Sequence, residues 1–407
     1  LAEALERDAD RLAALEALDV GKPLAEARIA DVPQAIETFH HFAGWADKVG
    51  GTTVPLPELN GRPQLSYTVR EPVGVVGAIT PWNAPTMIAA WKLAPALAVG
   101  CAVVLKPPED APLTALRIAE LVEEVGFPAG TVSVLPGRGS VAGAALVAHP
   151  GVDKVSFTGS PEVGAEIARV AGPDMRRLTL ELGGKSPQLI FPDADLEALL
   201  PVAALSLFAN SGQVCAAGTR VLVHEDRREE VQAGLAKLAG AITVGDPFDP
   251  ATEMGALVNR RQLERVLGYV GVGRGEGAEL LAGGERLERR GYFVEPTVFA
   301  GDNQMTIARE EIFGPVGTVI PFSSEEEAVR LANETRYGLT AVVWTGSLSR
   351  AHRTAAALRV GKVWVNGWGP PDPRLPWGGS KLSGVGRELG VAGLHANTEE
   401  KVVSIVL

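Results

Sequence analysis

The chain has 407 residues, of which 46% are hydrophobic and 21% charged, so it is long enough to bury a large core and to form two or three domains. With 38 basic and 49 acidic residues it carries a formal net charge of −11 and no long basic run, which argues against nucleic acid or an acidic membrane surface as a partner. Its apolar runs are too short for a membrane-spanning helix, and two cysteines are too few for a disulfide scaffold, which indicates a reducing, cytoplasmic location.

The first segment predicts an amphipathic helix. Leu1, Leu5, Leu12 and Leu15 recur at helical spacing, and the pattern ends at Gly21. Because the sequence begins with Leu rather than Met, we expect that a native N-terminal portion is missing, so the absence of a signal peptide carries no information.

From residue 73 onward, strand-like runs alternate with helical patterns, which is typical of a parallel, doubly wound sheet. The predicted strands are 73–79, 102–105, 132–135 and 155–157, and the helical patterns lie near 87–99, 113–125, 141–148 and 161–171. A second α/β region has predicted strands at 178–182 and 188–191 and helices at 195–208 and 227–238. Residues 401–407 predict a terminal strand without a partner nearby in sequence, an edge that often pairs with another domain or subunit.

Several familiar motifs are incomplete or absent. Gly184–Ser186 resembles the end of a phosphate-binding P-loop, but Thr179 stands where that loop requires its first glycine. The glycines within 137–143 miss the last spacing of the dinucleotide fingerprint. The six histidines form no i, i+4 pair, and no Gly-x-Ser-x-Gly elbow occurs, so zinc proteases and serine hydrolases lack their signatures and no metal is expected.

Small residues surround Cys215 in the run Asn-Ser-Gly-Gln-Val-Cys-Ala-Ala-Gly-Thr-Arg at 210–220. Such neighbours permit close approach of a substrate to a nucleophilic thiol. Cysteine is also a common buried filler, and the segment alone leaves both interpretations open. Cys101, at the entry to an apolar strand, is interpreted as a filler.

Two other segments offer polar side chains suited to catalysis. Glu181 ends a predicted strand just before a Gly-Gly turn, where a base could be held, although a strand-end glutamate is usually only solvated. Asn83 lies in Pro-Trp-Asn-Ala-Pro at 81–85, between a strand and a helix. Its amide can be aimed at a developing oxyanion, or it can simply cap the helix.

Taken together and in this order, the segments around Asn83, Glu181 and Cys215 resemble the aldehyde dehydrogenase superfamily. The surrounding sequence agrees, with Lys-Pro-Pro-Glu at 106–109, Phe-Thr-Gly-Ser at 157–160, Glu-Ile-Phe-Gly-Pro at 311–315 and Pro-Trp-Gly-Gly at 376–379. The resemblance covers residues 1–407. Family members normally carry on the order of a hundred further N-terminal residues, which fits the expectation that this portion is missing here.

The resemblance implies NAD(P)-dependent oxidation of a small-molecule aldehyde to a carboxylic acid. Cys215 would be the nucleophile, Glu181 the general base that hydrolyses the thioester, and Asn83 an oxyanion donor beside the backbone N–H of Cys215. A CoA-acylating dehydrogenase or an acyl-phosphate reductase has no need of a deacylating carboxylate, so Glu181 disfavours both. An inactive, structural family member is a further alternative.

The resemblance also implies a cofactor site. It assigns Lys106 and Glu109 to the adenosine ribose, Gly159 and Ser160 to the pyrophosphate at a helix N-terminus, Glu311 and Phe313 to the nicotinamide ribose, and Trp82 to the same cofactor site. Glu109 favours NAD, because a carboxylate bonds a free 2′-hydroxyl and repels a 2′-phosphate. NADP stays possible if this side chain swings aside.

A substrate tunnel is implied next to the nucleophile. Ala84 and Ala209 stand at positions that are often aromatic in relatives acting on small aliphatic aldehydes, so a roomier tunnel is expected. Val214, Trp91 and Trp377 are expected to line it as well.

The implied fold is α/β. It combines a doubly wound, parallel-sheet cofactor domain (1–53 and 73–183), an α/β catalytic domain (184–397) and a small oligomerisation β-sheet (54–72 and 398–407). The terminal strand would then meet a partner subunit, and a homodimer or homotetramer is expected.

Overall fold

The computed structural model describes all 407 residues, in which strands and helices alternate along most of the chain. The strands are β1 (Thr53–Val54), β2 (Gln64–Pro72), β3 (Val75–Ile79), β4 (Ala102–Lys106), β5 (Val132–Val134), β6 (Lys154–Thr158), β7 (Arg177–Glu181), β8 (Pro187–Ile190), β9 (Arg220–His224), β10 (Glu279–Ala282), β11 (Thr297–Ala300), β12 (Val316–Phe322), β13 (Thr340–Trp344), β14 (Lys362–Val365), β15 (Gly384–Val385) and β16 (Thr398–Val406). The α-helices are α1 (Ala2–Arg7), α2 (Ala9–Val20), α3 (Leu24–Glu26), α4 (Val32–Ala43), α5 (Pro85–Ala98), α6 (Leu113–Glu124), α7 (Ala144–Ala148), α8 (Pro161–Ala171), α9 (Leu196–Phe208), α10 (Arg228–Ala241), α11 (Arg260–Gly275), α12 (Thr306–Arg309), α13 (Glu325–Asn333), α14 (Leu348–Ala357) and α15 (Gly390–His395).

The first sheet has the strand order β15-β7-β6-β3-β4-β5, and β3 to β7 are parallel. Both of its faces are covered. Val103 and Leu105 belong to the core under α5, whereas Val104 between them packs against the core on the opposite face. The predicted doubly wound parallel sheet is confirmed.

The second sheet has the order β10-β11-β12-β9-β8-β13-β14 and is parallel except at β10. Successive side chains of β9 again point into two different cores, with Val221 and Val223 in one and Leu222 in the other. Because β7 and β8 are joined by only a few residues, Glu181 lies where the chain passes from the first sheet into the second.

The third sheet is antiparallel, with the order β1-β2-β16. The terminal strand has no partner nearby in sequence, and in the structure β16 pairs with β2, within the segment 54–72, from Thr398 opposite Pro72 to Val406 opposite Gln64. Sequence reasoning about neighbours could not detect a pairing across more than 300 positions. The outer edge of β16 is left free.

Two boundaries differ from the sequence predictions. The first helix is divided at Asp8 into α1 and α2, and the break places the Asp8 carboxylate 2.7 Å from the guanidinium of Arg117 on α6. Residues 384–397 were grouped with the catalytic region, yet β15 pairs with β7 and Leu394 of α15 packs into the core under α5. None of the helices is both long and apolar enough to span a membrane.

Candidate active site

A strained loop follows α9 and leads to Cys215. Asn210, Ser211 and Gly212 have φ values of 48°, 56° and 69°, so three consecutive residues occupy the left-handed region that costs energy for non-glycine residues. Gly212 is required here for a second reason, since a Cβ on it would lie 2.2 Å from the backbone oxygen of Gly314. The surrounding structure must therefore hold the loop in place.

Buried amides supply that restraint. Gln213 donates from Nε2 to the Asn210 carbonyl (3.1 Å) and accepts at Oε1 from the Val258 backbone N–H (3.0 Å). Asn210 in turn donates from Nδ2 to the carbonyl of Asn83 (2.8 Å). The loop is thus tied to the segment that precedes α5.

The Cys215 thiol is half-buried and borders a cavity. The pKa of Cys215 is raised to about 12, chiefly by burial and then by the charges of Glu181 and Glu311, while the backbone N–H groups of Ala216 and Cys215 oppose the rise. In this environment the thiol is neutral near pH 7, so its attack on a substrate requires that its proton be removed. Cys101 is fully enclosed and donates to the Asn397 carbonyl (3.4 Å), in keeping with a filler.

Glu181 is the last residue of β7 and is buried rather than solvated. Its Oε1 has no hydrogen-bond partner, and a Cβ on Gly378 would lie 2.5 Å from it, so the glycine leaves room for the carboxylate. Burial raises the pKa of Glu181 well above its usual range, and Glu388 adds to the rise while Lys92 and Arg387 oppose it. A carboxyl in this state binds a proton more readily than an exposed glutamate does.

Asn83 does not cap the helix that follows. The N-cap of α5 is Ala84, and no side chain caps this helix. Asn83 instead donates from Nδ2 to the Gln213 carbonyl (3.0 Å), which uses one of its two amide hydrogens. Its side chain is buried and lines the same cavity as Cys215, so the other hydrogen is available to an oxyanion there.

Sequence reasoning missed a buried polar group behind Glu181. Lys92 of α5 forms an ion pair with Glu388, and Ser156 of β6 donates to the same carboxylate (2.8 Å). A lysine inside an otherwise apolar helix was the one available signal. Glu388 carried none, because its loop meets this core only in the folded chain.

The residues expected at the adenosine ribose lie together at the end of β4. Lys106 is the buried last residue of that strand, and Glu109 is exposed and accepts from the Gly139 backbone N–H (2.5 Å). The glycine-rich segment that missed the fingerprint spacing therefore faces Glu109. Ser160 caps α8 by accepting from the Val163 N–H (3.4 Å), which leaves a helix N-terminus next to Gly159.

The residues expected at the nicotinamide ribose meet the Gly-Gly turn that follows Glu181. Glu311 accepts from the Gly184 backbone N–H (2.8 Å), and a Cβ on Gly183 would lie 2.1 Å from its other oxygen. Burial raises the pKa of Glu311 to about 7, against the hydrogen bond from Gly184. Trp82 and Phe313 pack edge to face at 5.3 Å. Carboxylates for ribose hydroxyls and a helix N-terminus for phosphate together fit a dinucleotide.

A cavity of about 800 Å³ extends from Cys215. All five residues expected in the tunnel line it, namely Ala84, Trp91, Ala209, Val214 and Trp377. Trp91 and Trp377 pack with ring centroids 5.8 Å apart. Sequence reasoning missed Glu26 and Trp368 in the same wall, since both come from segments without a motif. No group of three or more His, Cys, Asp or Glu side chains is arranged to hold a metal ion.

Comparisons with family models, with curated relatives and with solved structures all identify the same protein family. The model of the aldehyde dehydrogenase family matches residues 1–403. Human mitochondrial aldehyde dehydrogenase is 48% identical over 100% of this chain and 78% of its own length, and mouse retinaldehyde dehydrogenase 3 is 46% identical over 100% and 79%. An aldehyde dehydrogenase from Bacillus cereus, solved as an NAD+ complex, is 46% identical with a TM-score of 0.98 and covers 100% of this chain and 82% of that one.

Proposed function

Because the chain belongs to the aldehyde dehydrogenase family and is an NAD(P)-dependent oxidoreductase, we propose that it oxidises its aldehyde through a thioester on Cys215 that is hydrolysed by water activated by Glu181. The observation that carries this proposal is that Cys215 and Asn83 border one cavity while the charge of Glu181 acts on the thiol. The reaction needs a nucleophile, an oxyanion donor and a base, and these three residues supply one each.

In the first half-reaction the Cys215 thiol loses its proton to solvent, the sulfur bonds to the aldehyde carbon, and the carbonyl oxygen becomes an oxyanion. The free amide hydrogen of Asn83 and the backbone N–H of Cys215 donate to that oxygen. NAD, when bound, supplies the acceptor for the hydride that the thiohemiacetal releases. Cys215 then carries the acyl group as a thioester.

In the second half-reaction Glu181 takes a proton from water as the oxygen attacks the thioester carbon. The carbon–sulfur bond breaks, the carboxylic acid leaves, and the proton held by Glu181 passes to the sulfur, which restores both the Cys215 thiol and the Glu181 carboxylate. A carboxyl with a raised pKa and an unpartnered oxygen suits this role, because such a group binds a proton more readily than an ordinary carboxylate. It also argues against a CoA-acylating enzyme, which would need no water-activating base.

The cofactor we propose is NAD rather than NADP. The Glu109 carboxylate has one oxygen bonded to Gly139 and the other without a hydrogen-bond partner, which suits a ribose hydroxyl and repels a 2′-phosphate. Lys106, at the end of β4, offers a donor to the same ribose.

We also propose a homo-oligomer, dimeric or tetrameric, that works in the reducing cytoplasm. The free outer edge of β16 offers the pairing surface, with Val402 and Ile405 exposed on the strand. A reducing compartment keeps Cys215 a free thiol. The three-part division into cofactor domain, catalytic domain and oligomerisation sheet is also a proposal, and the pairing of β15 with β7 favours grouping residues 384–397 with the cofactor domain.

The test of the proposed function is Cys215→Ala. We expect this change to abolish aldehyde oxidation while NAD affinity, measured by fluorescence titration, stays within about three-fold of wild type, because the sulfur forms the covalent intermediate but is not needed to hold the cofactor. In the unmodified protein, alkylation should occur at Cys215 before Cys101, as peptide mass mapping can determine. Substantial turnover by the alanine variant, or faster labelling of Cys101, would refute the covalent mechanism, and NAD binding by wild type without turnover of any aldehyde would favour the inactive family member.

A further inference from the structure

The cavity wall that faces Cys215 contains a carboxylate that the proposed reaction does not use. Glu26, at the end of α3, is half-buried and lines the cavity. Its Oε2 accepts from the backbone N–H of Asn210 (3.1 Å), and its Oε1 accepts no hydrogen bond. One carboxylate oxygen therefore fastens the nucleophile loop, and the other is available to a ligand.

No free cation balances this carboxylate. The charged residues that line the cavity are one lysine and three carboxylates, those of Glu26, Asp31 and Glu253. The lysine is Lys22, whose ammonium is held by Asp31 (2.8 Å) and by Glu16 (3.2 Å) behind the wall. The wall is therefore net negative, and an anionic substrate would find no unpaired positive group in it.

One further feature of the cavity suits a positive charge. The indoles of Trp91, Trp368 and Trp377 line it, and the face of an indole attracts a cation. Trp377 already has the ammonium of Lys362 at 5.6 Å from its ring centroid. The indole faces therefore favour a positive group over a negative one.

We propose that the substrate is a cationic aldehyde, with an ammonium group at the end remote from the carbonyl, and that Glu26 determines this preference. The inference rests on the proposed function and deepens it by naming the substrate class. The carbonyl would lie at Cys215 and the ammonium group between Glu26 and the indoles, in a cavity of about 800 Å³ whose remaining wall is mainly apolar.

Glu26 is charged over the range in which the enzyme would be assayed. Burial raises its pKa to about 6, Lys22 opposes the rise and Asp31 adds to it. The carboxylate is therefore ionised above about pH 6 and becomes protonated below it. The preference for a cation should accordingly be full at about pH 8 and decline as the pH falls through 6.

The test uses three aldehydes of equal chain length that differ only at the remote end: a trimethylammonium group, the isosteric and neutral tert-butyl group, and a carboxylate. At about pH 8 we expect kcat/KM for the cationic aldehyde to exceed that for its neutral isostere by about ten-fold or more, with the carboxylate the poorest. Glu26→Gln retains an oxygen for the Asn210 N–H, so it should lower kcat/KM for the cation about ten-fold more than for the isostere. Glu279→Gln, an exposed change on β10 away from the cavity, should leave this ratio unaltered.

Equal or better turnover of the neutral isostere by the wild-type enzyme would overturn the inference, whether or not the Glu26 variant folds. So would a Glu26→Gln variant that loses activity equally toward both aldehydes, because Glu26 would then act only on the loop. Either result leaves the proposed function standing, since the neutral aldehyde is still oxidised. Failure to oxidise any of the three by a folded, NAD-binding enzyme would contradict the proposed function and this inference with it.

Discussion

At the Cys215 sulfur, two carboxylates raise the pKa of a thiol that the proposed reaction needs as a thiolate. This arrangement is coherent if the carboxylates serve later steps, Glu181 in hydrolysis and Glu311 at the cofactor. It also makes the two possible roles of Glu181 distinguishable. A base for the thiol would accelerate attack by Cys215, whereas a nearby negative charge by itself would retard ionisation of the thiol.

We therefore predict that Glu181→Gln speeds alkylation of Cys215 by iodoacetamide at about pH 9, because the loss of a negative charge lowers the pKa of the thiol. In the wild-type protein the rate should climb by about ten-fold per pH unit between about pH 7 and pH 9, since the pKa of Cys215 lies above that range. The rate is measured as loss of free thiol, with enclosed Cys101 as the internal control. Slower alkylation of the variant would assign thiol deprotonation to Glu181.

We propose that Glu109 determines the preference for NAD over NADP. We predict that kcat/KM is higher with NAD than with NADP and that Glu109→Gln narrows the gap, because the amide no longer repels a 2′-phosphate. Steady-state kinetics with each cofactor at a saturating aldehyde concentration measures the ratio. A wild-type enzyme that prefers NADP would contradict this assignment.

Among the elements, the loop at 209–212 matters most, because its left-handed residues bring Cys215 to the cavity. The sequence shows that the residues here are small but not that their backbone is strained. The strain at Asn210 and Ser211 arises only in the folded chain, where hydrogen bonds with Gln213 and Asn83 hold the loop. The strands and helices of both sheets were predictable from alternation of apolar residues. The division at Asp8 and the pairing of β16 with β2 depended on contacts remote in sequence, and so did Glu26.

Gly212→Ala tests the loop. Its Cβ would lie 2.2 Å from the Gly314 oxygen at a φ of 69°, so we expect a loss of about 1–3 kcal/mol in the free energy of unfolding and a large fall in kcat. Gly271→Ala is the matched control, since that Cβ meets nothing within 4 Å on the exposed side of α11. The control should gain about 0.5–1 kcal/mol. Urea denaturation measures both, and a Gly212→Ala variant as stable as wild type would show that the loop is not under strain.

Across the whole molecule, the site forms where the two large sheets meet. Glu181 ends a strand of the first and Cys215 precedes β9 of the second. Gly378 lies beside the Glu181 carboxylate, and Trp377 lines the same cavity as Cys215. Resemblance to a family indicated which residues meet there, and alternation of strands and helices alone could not. The fold therefore brings Cys215 and Asn83 to one cavity, and the charge of Glu181 acts on the Cys215 thiol.

Above all, we propose that the reaction proceeds through a thioester on Cys215 and that Glu181 is needed for the second half-reaction, the hydrolysis of this thioester. Replacing Glu181 with Gln keeps its volume but removes its ability to take a proton. Rapid mixing of the variant with NAD and an aldehyde should release about one equivalent of NADH per active site. Further turnover should then be slower than in wild type by on the order of 10² to 10⁴, and the intact protein should carry an acyl mass increment on Cys215. A Glu181→Gln variant that folds and binds NAD, yet gives neither burst nor adduct, would contradict this account.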